Sequence, residues 1–180
     1  MEHNPYSVGQ EIDSTTAGLP GPKFEASVRT MQVIALALVM GVVMFLGLVL
    51  FTTQGNLNGK PGVLTMIGAV IGLVMVVNQF VIPGMIVKSQ LKQVATPGSR
   101  QIDHAEKIAW LLGIYQTQLI VGLALLEGAA FLNLVIMMLE RCLGTLGVVG
   151  LLLGLILKKF PTRDKVSFWV QDKLRELQSM

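Results

Sequence analysis

Apolar residues along the chain gather into four long blocks, about 31–52, 63–87, 108–139 and 142–158, parted by polar or Gly/Pro-bearing stretches. Each approaches the ~20 residues that a helix needs to cross ~30 Å of hydrocarbon. The pattern predicts an all-α integral membrane protein of four transmembrane helices, with a polar N-terminal segment over 1–30 and a cytoplasmic amphipathic helix over 161–180.

The element boundaries come from local signals. Residues 1–30 hold Pro5, Gly18, Pro20, Gly21 and Pro22 and no apolar block. They are expected to form a plain tail before a retained signal-anchor, with a short ordered piece at Lys23–Thr30 as the alternative. In the second block Pro83 removes a helical hydrogen bond and Gly84 follows it, predicting a kink or an early exit. The turn sequence ATPGS and a capping-box pair, Asp103 with Glu106, start the third helix near His104. Run to Leu139, that helix would be about 54 Å long, so its first turns should project into the cytoplasm. Trp110 and Tyr115 would then lie at the interface.

Charge orients the spans. Of the fourteen basic residues, twelve fall on the side of the two termini and only Lys60 and Arg141 on the other. The bias predicts both termini in the cytoplasm, in a bacterial inner (plasma) membrane. The formal charge of +3 therefore belongs to topology, not to nucleic-acid binding.

Two helices carry a further pattern. The fourth has Gly144, Gly147, Gly150 and Gly154, and the second has Gly68 and Gly72. Such spacing bares one face to a neighbouring backbone, so both are expected to pack closely on other helices. After Pro161, Val166, Val170, Leu174 and Leu177 recur at helical spacing beside basic residues. Lys158, Lys159, Arg163, Lys165, Trp169 and Lys173 are therefore expected at the membrane surface, with packing on a partner's helix as the alternative.

The chemistry centres on Glu127, the ionisable residue that interrupts the third block. It lies at a depth similar to Asn78 and Gln79 of the antiparallel second block. An amide there could partner the carboxyl, which would otherwise be costly in hydrocarbon. Gln116 shares its helical face three turns earlier, and Asn133 lies about 120° away. These five residues form the expected buried polar link or ion site, with Glu127 protonated and donating a hydrogen bond.

Thr117, Leu123, Ala124, Glu127, Leu134 and Val135, after a second span and a polar loop, resemble the carboxyl-bearing helix of the proteolipid (c) subunits of rotary ATP synthases. The likeness covers residues 62–140. It implies a ring of copies in which Glu127 matches the ion-carrying carboxyl.

Other chemistry is not signalled. There is no phosphate loop, no Cys/His metal spacing and no nucleophile with a base, so neither enzyme nor cofactor is expected. Cys142 is the single cysteine and cannot form an internal disulfide. Two readings remain: an oligomeric membrane scaffold or accessory subunit with Glu127 as a polar link, or a proton-carrying ring or channel subunit.

Overall fold

A computed structural model describes residues 21–94 and 104–178. The first twenty residues with His3, the ATPGS turn and Asp103 of the capping pair lie outside the described residues. Five helices follow in order: α1 Pro22–Thr52, α2 Val63–Val94, α3 His104–Glu140, α4 Leu143–Lys158 and α5 Arg163–Gln178.

Three of them are long and apolar enough to cross a membrane, the spans being Pro22–Thr52, Val63–Val87 and Glu106–Glu140. The fourth apolar block is a helix of 16 residues, about 24 Å, and it breaks from α5 with a bend of 66°. Of the four expected spans, three are thus long helices, and the fourth is as short as its sixteen apolar residues predict.

Around α3 the others assemble. It packs on α1, α2, α4 and α5, whereas α1 and α2 make no contact with each other among the described residues. In its most apolar stretch 44% of residues are buried, against 17% in α1 and 22% in α2. The large apolar residues left exposed accordingly sit mainly on the outer helices, among them Met44, Phe51, Met66, Leu73 and Phe80. Leu123, Leu126, Leu134 and Met137 of α3 are fully buried with Val42 and Val49 of α1 and Val149 and Leu152 of α4.

Since hydrocarbon gives little apolar drive between helices, small and polar residues set their register. Gly68 and Gly72 do so for α2. Asn133 Nδ2 donates to the Gly68 carbonyl at 3.1 Å and to the Ala129 carbonyl, one turn back on α3, at 2.8 Å. A Cβ on Gly68 would meet Ile136 Cδ1 at 2.6 Å and Asn133 Oδ1 at 2.7 Å. Gly68→Ala is therefore expected to force α2 off α3 at a cost of about 1–3 kcal/mol, measurable as a lower midpoint of denaturant unfolding in detergent. An unchanged midpoint would mean that Asn133 and Ile136 swing away freely.

Over Pro22–Thr30 the chain is the start of the first helix and not a plain tail, in keeping with the alternative of an ordered piece at Lys23–Thr30. The helix begins at Pro22, where a proline in the first turn fits because that N–H has no partner anyway. Phe24, Val28, Met31 and Ala35 repeat at helical spacing and are all buried. They join Leu111 and Ile114 of α3 and Val166 and Val170 of α5 in one apolar cluster. This packing also shows what the apolar stripe of α5 meets. Val166 and Val170 of that stripe are fully buried against the rest of the chain, and Leu174 and Leu177 are half-buried. Gln32 Nε2 donates to the Pro161 carbonyl at 3.0 Å, and Trp169 stacks near Tyr115 with centroids 5.2 Å apart. Arg163 pairs with Glu25 at 3.3 Å in exposed surroundings, where such a pair adds little, and Lys173 pairs with Glu176 in partly buried ones.

Candidate functional site

Two polar sites interrupt the apolar interior, and they separate residues that the sequence brings together. The first surrounds Glu127, half-buried on the side of α3 that faces α1. A Cβ on Gly41 of α1 would stand 3.5 Å from Glu127 Oε1 and 3.7 Å from Phe131 Cζ, and Phe131 makes an edge contact with Phe45. Gly41 thus makes room for the carboxyl. No hydrogen bond or ion pair reaches Glu127 among the described residues.

The expected amide partner stands elsewhere. Gln79 is fully buried, and neither its Nε2 nor its Oε1 has a partner among the described residues. Asn78 and Gln116 are half-buried. Asn133 serves Gly68 on another side of α3, and its Oδ1 is left without a donor. The pairing of Glu127 with Asn78 or Gln79 is therefore replaced by a seam between Glu127 and α1. Equal depth does not determine which way two helices face, and helix phase is what differs here.

Beside Glu127 runs a strip of α3 that nothing among the described residues covers. Gly113, Thr117, Ala124 and Gly128 lie along it, all exposed, between α1 and α2 where those helices do not meet. Glu127 sits at the α1 edge of that groove.

The second site surrounds Pro83. Proline has no N–H, so the carbonyl four residues earlier, that of Gln79, loses its helical donor. Instead Lys159 Nζ, just past the end of α4, donates to the Gln79 carbonyl at 3.2 Å and lies 5.5 Å from the Phe80 ring centroid. Gly122 of α3 lets this lysine in, because a Cβ there would stand 3.0 Å from Nζ. With its free carbonyl satisfied, α2 continues through Pro83 to Val94 and does not exit early.

A third feature was missed by sequence reasoning. The Glu140 carboxylate at the end of α3 accepts hydrogen bonds from the N–H groups of Gly62, Leu64 and Thr65 at 3.2, 3.0 and 2.9 Å, and from Thr65 Oγ1 at 2.5 Å. A carboxylate at a helix N-terminus meets both unpaired donors and the positive end of the helix dipole. The signal was present: no Ser, Thr, Asp or Asn stands where α2 needs its N-cap.

The glycines expected to pack α4 turn outward. Gly144, Gly147, Gly150 and Gly154 are all exposed, and a Cβ on Gly147, Gly150 or Gly154 would meet nothing within 4 Å. Among the described residues no group of His, Cys, Asp and Glu could hold a metal ion. No protein family, curated protein or solved structure matches the chain, so no relative stands behind the likeness to proteolipid subunits.

Proposed function

We propose that the protein is an oligomeric integral membrane subunit, a scaffold or accessory component, whose copies pack through the glycine face of α4. The exposed line of Gly147, Gly150 and Gly154 carries this reading. In hydrocarbon, a helix face without side chains favours close approach of another helix, because packing and not apolar burial drives association there. Gly68 and Gly72 serve α2 in that manner within the chain, whereas the α4 glycines have no such neighbour.

In this reading α4 is a fourth, short pass and both termini face the cytoplasm, following the bias of basic residues. The ends of α1, α3 and α5 form a cytoplasmic cap. Glu127 is a polar link at the seam of α1 and α3, open to a donor or acceptor from a second helix seated in the neighbouring groove. An intramembrane carboxyl with no partner among the described residues is otherwise expensive.

Glu127 also supports a second reading, that of a proton-carrying ring or channel subunit, because it is half-exposed and unpartnered. The two differ in a paired measurement of oligomeric size and proton flux in liposomes. As a link, Glu127→Gln should keep the assembly, since an amide also donates and accepts, and Glu127→Leu should loosen it. Flux should equal that of empty liposomes in all three proteins. Flux through the wild-type protein that Glu127→Gln abolishes, with the assembly intact, would establish the ion-carrying role instead.

A further inference from the structure

We propose that the corner between α4 and α5 holds a binding site for the phosphate of an anionic phospholipid. This goes beyond the oligomer reading and does not depend on it; it requires only that the end of α4 lies at a membrane boundary.

A cavity of about 200 Å³ opens there, lined by Tyr115, Gln118, Leu119, Lys158, Lys159 and Lys165. At roughly 30 Å³ per water it has room for several waters, hence for a phosphate with its ester oxygens. Three of the six lining residues are lysines and none is acidic. None of the three forms an ion pair among the described residues, although other basic side chains of the chain do.

These cations also have donors to spare. An ammonium carries three N–H groups. Lys159 uses one on the Gln79 carbonyl, and Lys165 uses two, on the carbonyls of Lys158 and Phe160. Those bonds hold Lys159 and Lys165 in place at the mouth, so the site is largely formed before a ligand arrives. Gln118 adds an independent sign: its Oε1 is buried and has no donor among the described residues. A head group with both a phosphate and a free hydroxyl, such as phosphoglycerol, would answer the lysines and the amide together.

Position selects lipid over a soluble phosphate. The mouth lies where the apolar run of α4 ends, between Lys158–Lys159 and the Tyr115–Trp169 pair. Lysine and interfacial aromatic side chains concentrate at head-group depth, and basic pockets between helices there suit phospholipid head groups.

Native mass spectrometry of the full chain, released from mixed phosphatidylcholine and phosphatidylglycerol, tests the site. Wild-type protein is expected to retain phosphatidylglycerol in preference to phosphatidylcholine. Each Lys near an anionic surface adds about 1 kcal/mol, so Lys158→Glu should weaken retention roughly thirtyfold. By the same measure Lys158→Gln should weaken it about fivefold, which keeps the test decisive if charge reversal disturbs folding. Arg175→Glu, an equal change in charge away from the cavity, should shift it by no more than about twofold. Equal retention of both lipids, or equal losses in Lys158→Glu and Arg175→Glu, would overturn the site. Displacement of the lipid by millimolar inorganic phosphate would overturn the lipid assignment and leave a soluble phosphate as the ligand.

Discussion

Gly59→Val is expected to detach the loop over residues 53–62 from the turn between α3 and α4. At that point Gly59 N–H donates to the Arg141 carbonyl at 3.0 Å, and Asn58 and Cys142 form a single antiparallel bridge. A Cβ on Gly59 would fall far inside contact distance of the Glu140 carbonyl oxygen and within 3.0 Å of the Arg141 carbonyl oxygen. Both obstacles are backbone atoms, and neither can rotate aside. The turn has little freedom to move, because Arg141 is held at φ 50°, a conformation that costs a side-chain-bearing residue ~1–2 kcal/mol. The loss should therefore reach or pass the top of the ~1–3 kcal/mol range for overpacked sites.

The damage should spread to α2. Displacing the turn carries Glu140 away from Gly62, Leu64 and Thr65, and the first turn of α2 then lacks its cap. Hydrogen exchange should accelerate at Leu64 and Thr65 in Gly59→Val and in Glu140→Ala. Gly47→Ala, on α1 with nothing within 4 Å of the added carbon, is the control and should leave exchange and unfolding unchanged. Equal protection of Leu64 and Thr65 in Gly59→Val and wild type would show that the turn yields more easily than these contacts imply.

The second large effect concerns Lys159. Lys159→Met should leave the Gln79 carbonyl without a donor beneath the apolar surface, at a cost of about 1–3 kcal/mol. The cause of that orphan is Pro83, so the two residues should be coupled. Pro83→Ala restores an N–H that can reach the Gln79 carbonyl within the helix. In that background Lys159→Met should cost less, with a coupling of at least about 0.5 kcal/mol. Strictly additive losses in the double-mutant cycle would mean that Lys159 stabilises the fold through some other contact.

Much of this architecture was legible in the sequence, and the errors have a common origin. Hydropathy blocks located α2, α3 and α4 to within a few residues at most of their ends, because hydrocarbon length and backbone satisfaction are local demands. The start of α1 was legible only as an alternative, an ordered piece at Lys23–Thr30, because Pro22–Thr30 is polar on average. Its stripe of Phe24, Val28 and Met31 has meaning only once α3 and α5 are there to receive it. Pro83 was read correctly as a lost hydrogen bond, yet the donor that replaces it comes from a residue 76 positions further on, Lys159. Glu140 escaped for the same reason, as a cap supplied from another helix.

The candidate site divides along that line too. A carboxyl inside an apolar run announces itself, so Glu127 was visible at once. Its neighbour was not, because helix phase, and not depth, turned it toward Gly41 and away from Gln79. The α4 glycines were visible as a bare face, but only the packed chain reveals that no helix among the described residues covers them.

That uncovered face is the centre of the account, and its most direct test is the oligomeric size of the full chain in lipid nanodiscs or by native mass spectrometry. Wild-type protein should be a defined oligomer. Gly150→Leu combined with Gly154→Leu should reduce it to monomer while helicity and thermal unfolding of the single chain are unchanged, since these side chains would point into open space. A wild-type monomer, or an oligomer indifferent to both leucines, would contradict assembly through α4.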